Sequence, residues 1–92
     1  MRYQRPFTRA QRREASRVLR SLATTFSTIR RTYRPTNPKQ RRLYRDLREV
    51  IEEFAATLST ADDTMDTAEL NRLRELATTL AIQYAADRLG DR

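Results

Sequence analysis

Ninety-two residues bound the chain to one domain that buries about two thirds of its unfolded surface, a modest core without room for an enclosed active-site cavity. The absence of cysteine and histidine removes disulfides, thiol chemistry and the usual zinc ligands, and a single glycine, Gly90, excludes a glycine-rich phosphate loop. Charge is lopsided: residues 1–48 hold fifteen Lys and Arg against two acids, residues 49–92 hold four against ten, and the net charge is +7.

No apolar run is long enough to cross a bilayer or to form a signal-peptide core. These exclusions predict a cytoplasmic protein that is not an enzyme, carries no cofactor or metal, takes no small-molecule substrate and engages no membrane. Eighteen of the nineteen cations are arginine. A GC-rich genome produces that bias, but guanidinium also suits bidentate phosphate contacts better than ammonium does. Such asymmetry between halves points to a nucleic acid or an acidic partner.

In chain order, residues 1–7 (MRYQRPF) lack periodicity and read as a short, flexible basic arm. Thr8 with Gln11 reads as a capping box opening a first helix over about 9–33. Ala15, Leu19, Leu22, Phe26, Ile29 and Tyr33 alternate at spacings of four and three, a sustained apolar seam widened by Val18. Arg9, Arg12, Arg13, Arg17, Arg20, Arg30, Arg31 and Arg34 gather on one flank. The other flank carries Ser21, Thr25, Thr28 and Thr32, small enough to invite another helix.

The segment Arg34-Pro35-Thr36-Asn37-Pro38 is a strong turn signal, because proline disfavours the helical region for the residue before it. Asn37 reads as an N-cap, with Pro38 at the first helical position and Gln40 beyond it, opening a second helix over about 38–59. Leu43, Leu47, Val50, Phe54 and Leu58 make its stripe, widened by Tyr44 and Ile51. Its outer face begins basic (Lys39, Arg41, Arg42, Arg45, Arg48) and turns acidic (Glu49, Glu52, Glu53), with Arg42–Asp46, Arg45–Glu49 and Arg48–Glu52 spaced as i,i+4 pairs. This order opposes the helix dipole, as do Arg9, Arg12 and Arg13 at the first helix's start. Phosphate binding is one reason to place charges against local preference.

Residues 59–67 form an acidic connector whose Asp62-Asp63-Thr64-Met65-Asp66 lacks the spacing of a calcium loop and reads as caps and solvated charge. Asp66 with Glu69 predicts a second capping box opening a third helix over about 67–89, with Gly90 as its C-cap. Leu70, Leu73, Leu76, Ala77, Leu80, Ala81 and Tyr84 form its main stripe. Ile82, Ala86 and Leu89 form a second strip that a simple bundle leaves facing water, and they are expected to contact a neighbouring subunit.

Three such helices with short connections predict an all-α fold, an antiparallel three-helix bundle, as a single domain over 8–92. Up-down-up topology brings Arg9, Arg12, Arg13 and Arg17 to the end that holds Glu52, Glu53, Asp62, Asp63, Asp66 and Glu69. Arg30, Arg31, Arg34, Lys39, Arg41, Arg42 and Arg45 are left at the other end, opposed only by Asp46, Asp87 and Asp91. The start of the second helix also offers backbone N–H groups to an anion there. Tyr33 and Tyr44 flank this tip, where a tyrosine serves either as core or as a stacking surface for bases.

Leu43-Tyr44-Arg45 spells the signature of the mitochondrial LYR-motif proteins, which resemble this chain in size and in arginines near the motif. In that family the tripeptide sits in the first helix and basic helices follow; here it opens the second helix and an acidic segment follows. The arginine-rich start also looks like a mitochondrial presequence, although its seam and cap are those of a folded helix. A second resemblance covers the whole chain but rests on architecture without a motif. A short, helical, arginine-rich chain lacking catalytic residues is similar to the small subunit of multi-subunit CRISPR effector complexes. That resemblance implies stacking against other subunits and basic faces on nucleic-acid backbones. Here it has counterparts in the basic flank (Arg12, Arg17, Arg20, Arg31) and the extra strip. A phage DNA-packaging or virion protein fits the same description.

The expected function is therefore sequence-nonspecific binding of an RNA or single-stranded DNA backbone within a nucleoprotein complex. Arg30, Arg31, Arg34, Lys39, Arg41 and Arg42 are its central contacts, and Arg13, Arg17, Arg20, Arg45 and Arg48 extend the track. Its partners are nucleic acid together with other subunits or copies of itself. The alternative is an assembly module in which the arginines dock an acidic protein.

Overall fold

The first two helices begin where their capping residues dictate. Thr8 Oγ1 accepts from the Gln11 backbone N–H at 3.1 Å and Gln11 Oε1 accepts from the Thr8 N–H at 2.9 Å, a complete capping box. Asn37 Oδ1 accepts from the Gln40 N–H at 2.8 Å, with Pro38 in the first turn where its missing N–H costs nothing. The computed structural model describes residues 7–62 and 65–90, and every regular element among them is helical: α1 over Arg9–Thr32, α2 over Pro38–Ser59 and α3 over Thr67–Gly90. The fold is an all-α three-helix bundle, with boundaries within a residue of those expected.

Three local expectations fail. Asp66 Oδ1 accepts from the Ala68 N–H at 2.9 Å, but Glu69 turns outward to a two-pronged bond with Arg72, at 2.7 and 3.2 Å, so the second capping box does not form. Gly90 is the last helical residue of α3 and has no positive φ, so it does not act as a left-handed C-cap. Phe7, expected in the arm, is buried, and the Arg12 guanidinium lies over its ring at 5.0 Å. It occupies the place of a hydrophobic staple, with a cation–π contact replacing the usual apolar partner. The remainder of the arm, residues 1–6, lies outside the described residues, as do Asp63, Thr64 and Asp91.

α2 is the centre of the bundle. Leu47, Val50, Phe54 and Leu58 are buried on it, and Leu70, Leu73, Ala77 and Tyr84 of α3 complete the core. α1 packs on α2 but barely meets α3. The consequence is legible along its seam: only Ala15 and Ile29 are buried, while Val18, Leu19, Leu22 and Phe26 are half-buried. Tyr33, read as the end of the seam, is 49% exposed, because the helix ends at Thr32 and Tyr33 is its C-cap. Leu76, placed on the main stripe of α3, is 40% exposed at that stripe's edge.

These differences set the expected costs of truncation. Phe54→Ala removes a ring that is 1% exposed and should cost about 3–5 kcal/mol. Leu76→Ala should cost less than about 1 kcal/mol, since its side chain already meets solvent. Urea unfolding of both variants measures the contrast, and equal losses would mean that α3 presents a different face to α2.

Candidate nucleic-acid interface

The turn between α1 and α2 is built around a glutamine. Gln40 is fully buried, an environment that requires partners for both ends of its amide. Its Oε1 accepts from the Thr36 N–H at 2.8 Å and from Thr36 Oγ1 at 2.9 Å. Its Nε2 donates to Asp87 Oδ2 at 2.8 Å, forty-seven residues away on α3. Asp87 also takes Lys39 Nζ at 3.2 Å and Asn37 Nδ2 at 3.4 Å. Tyr84, buried beside it, donates its hydroxyl to the Tyr33 carbonyl. The last turns of α3 therefore hold the tip of the α1–α2 hairpin at four positions.

The electrostatics follow from those bonds. The Gln40 amide, with Lys39 and Asn37, holds the Asp87 carboxyl below the usual carboxylate range. Burial pushes the Tyr84 hydroxyl up, so it remains a donor throughout the ordinary pH range.

Arg30, Arg31, Arg34, Lys39, Arg41 and Arg42 lie near this tie, whereas Arg13, Arg17 and Arg20 lie farther along α1 and Arg45 and Arg48 farther along α2. Arg13, Arg17, Arg20, Arg30, Arg31, Arg34, Lys39, Arg41, Arg42, Arg45 and Arg48 are all exposed. Some are engaged: Arg17 with Glu14 at 3.5 Å, Lys39 with Asp87, Arg45 with Asp46 at 3.7 Å and Arg48 with Glu52 at 4.0 Å. Arg34 Nε donates to the Arg30 carbonyl at 3.3 Å. Among the described residues Arg13, Arg20, Arg30, Arg31, Arg41 and Arg42 have no acidic partner. The expected Arg42–Asp46 and Arg45–Glu49 pairs do not form, because Arg45 reaches its neighbour Asp46 first.

Phe26 and Tyr44 set the register of the antiparallel α1–α2 pair, their ring centroids 4.8 Å apart. At 100° per residue Arg30 stands on the α2 side of α1, and Arg41 and Arg48 on the α1 side of α2, while Arg34 lies in the turn beyond α1. Arg30 and Arg41 lie at about the same level, so the two helices share one basic outer face that begins at the tip. Arg30 and Arg31 fall in the last turn of α1, where the dipole favours cations; Arg41 and Arg42 open α2 against it, in a first turn without an acid.

Two expected contributions to anion binding are already used within the fold. Lys39 is committed to Asp87. The start of α2 has few N–H groups to offer, since Pro38 has none, the Gln40 N–H is capped by Asn37 and the Arg41 N–H donates to the Asn37 carbonyl at 3.0 Å. Tyr44 packs on Phe26, which leaves half-exposed Tyr33 as the aromatic available for stacking at the tip. At the opposite end, Arg12 Nη2 donates to the Ala61 carbonyl at 2.9 Å, holding the start of α1 to the end of α2.

The strip expected to contact a neighbour is open to solvent: Ile82 is 62% and Leu89 69% exposed, with Ala86 exposed between them. Among the described residues no group of acids is placed to hold a metal, and no helix is long and apolar enough to cross a membrane. The chain matches no family model, no curated protein and no solved structure.

Gln40, Asp87 and Tyr84 as a tertiary tie have no local sequence signal. A polar residue at a stripe position was the available clue, since Gln40 lies on the same face of α2 as Leu47 and Leu58.

Because the Asp87 carboxyl is held low, its stabilising effect is present above its unfolded value of about 3.9 and is lost as pH falls through its folded value. Thermal melts over a series from neutral to about pH 2 should show an acid limb that is shallower in Asp87→Asn. Superimposable limbs would remove Asp87 from the tie.

Proposed function

We propose that the outer face of α1 and α2 binds the phosphate backbone of RNA or single-stranded DNA without reading sequence or catalysing a reaction. The chain would serve as a small subunit of a nucleoprotein assembly such as a CRISPR effector. The observation that carries this reading is the placement of Arg30 and Arg41 at one level on the face shared by α1 and α2, with Arg31 and Arg42 next to them on the outer surface of the tip. All four are exposed and lack acidic partners among the described residues, and the last two oppose the helix dipole. Charges placed against local preference and left uncompensated favour an external anion. Guanidinium groups suit phosphate because their fixed fork meets two oxygens at once. The tie to Asp87 supports the reading, because a held hairpin keeps its cations spaced before a ligand arrives.

Single strands are favoured over duplexes by Tyr33, half exposed at the tip on its α3 side, since an unpaired base can stack on it. The solvent-facing strip of Ile82, Ala86 and Leu89 supports membership of an assembly, because apolar strips on a small domain are commonly covered by a neighbour.

Fluorescence anisotropy with labelled single-stranded RNA, single-stranded DNA and duplex DNA of matched length over a salt series tests this. Affinity should fall steeply with salt and be indifferent to base order. Replacing Arg30, Arg31, Arg41 and Arg42 with alanine should reduce the slope of log affinity against log salt by about 2–3, at roughly 0.7 per lost phosphate contact on a single strand. Arg72→Ala, which touches Glu69 on α3, should leave the slope unchanged. Affinity independent of salt, or no binding to any of the three at low salt, would refute the reading.

A further inference from the structure

Beside the arginine track, between α1 and α3, lies a different kind of surface. α1 and α3 diverge on either side of α2, leaving a groove that widens toward the tip into a cleft of about 520 Å³. Its walls are Thr24, Thr25 and Thr28 from α1 and Ala81, Ala85 and Leu89 from α3, with Ile29 and Tyr84 at its floor and Tyr33 at the end nearest the tip. The threonines make it less polar than their names imply. Thr24 Oγ1 donates to the Arg20 carbonyl at 2.9 Å and Thr28 Oγ1 to the Thr24 carbonyl at 3.1 Å, so both hydroxyls are satisfied within α1. What they add to the wall is largely methyl surface.

One charge lines this cleft, and it is incompletely satisfied. Arg88 is half-buried among these residues, and its Nε is buried without a hydrogen-bond partner among the described residues. A buried donor left unmade is costly, and an acceptor supplied from outside would recover that loss.

We infer that the α1–α3 groove docks an amphipathic helix of a partner protein, which completes a four-helix arrangement and presents an Asp or Glu carboxylate to Arg88. Small side chains on both walls (Thr28, Ala81, Ala85) permit the close axial approach that helix packing requires. An apolar ridge would cover the half-buried seam of α1, and one carboxylate would answer Arg88. Charge selects the occupant. A polynucleotide has no apolar ridge to fill a methyl-lined groove, and a second copy brings its own net charge of +7. An acidic helix is attracted to the molecule as a whole and matched at the one charged position in the cleft. Backbone binding through Arg30 and Arg41 lies on the α2 side of α1, whereas Tyr33 lines this cleft and Arg17 and Arg31 border its α1 wall.

The test is a display selection on the full-length chain, using helical peptides of about five turns with a fixed Leu/Ala seam and randomised polar positions. Enriched peptides should share an acidic residue beside the seam. Anisotropy titrations should show about tenfold weaker binding to Arg88→Gln, and loss of binding to Ala85→Trp, which fills the groove from an exposed position. Thr28→Trp fills it from the opposite wall, so a folding defect in one variant does not obscure the result. Circular dichroism checks each fold, and the oligonucleotide salt slope should be unchanged in all three. An unproductive selection, binders without a carboxylate, or binders indifferent to Arg88→Gln or to both tryptophans would overturn the inference. So would a dimer of the unliganded protein, seen by sedimentation equilibrium, that Ala85→Trp dissociates.

Discussion

A buried amide is the constraint on which the geometry of this molecule turns. Gln40 sits at a stripe position of α2 where an apolar residue would be ordinary, and it is completely excluded from water. Burial obliges it to find a donor on one side and an acceptor on the other. Thr36 in the turn and Asp87 on α3 meet those needs, so a single side chain joins three separate stretches of the chain. An apolar substitute would fill the space but would not specify where the turn lies or which turn of α3 faces it. The turn is thus fixed against α3 by a polar contact, while the α1–α2 pair takes its register from the apolar contact of Phe26 with Tyr44.

The parts of this architecture that depend on nearest neighbours were readable from residue order. Thr8 with Gln11, and Asn37 with Pro38, satisfy the N–H groups of their own helices, and those bonds need nothing distant. Periodicity placed Leu47, Phe54, Leu73 and Ala77 in the core because α2 and α3 cover each other along their length. It overestimated α1, whose regular seam lacks a second helix to cover it. Periodicity reports which face is apolar, not whether anything lies against it. Glu69 illustrates a different limit. It has the spacing of a capping box, but Arg72, one turn away, offers its carboxylate two N–H donors. Competition between two local partners is not resolved by spacing alone.

At the site, composition identified the arginines but not which of them are already occupied. Lys39 looks like its neighbours Arg41 and Arg42 in the sequence, yet it faces a carboxylate forty-eight positions later while they do not. Arg88 is the converse, an unremarked cation near the chain's end that proves to line an apolar cleft. Both assignments require knowing how α3 lies against the other two helices. α1 thereby acquires two unlike surfaces, with guanidinium groups running from the α2 side around its outer face, and methyl groups where it meets the groove it shares with α3. A single helix can serve two surfaces because its seam to α2 occupies only a narrow stripe between them.

The chain has one lysine, and it is the cation bound to Asp87. Every other basic side chain is a guanidinium, which stays protonated at any physiological pH and does not react with acylating reagents under ordinary conditions. Amine chemistry on the side chains is therefore confined to one nitrogen, and that nitrogen belongs to the junction between α2 and α3. An acetyl group there would remove a single positive charge from the surface and, in the same step, a donor from the carboxylate that also receives Gln40. A label carried by that amine would therefore mark a single place in the fold, the end of α2 that meets α3.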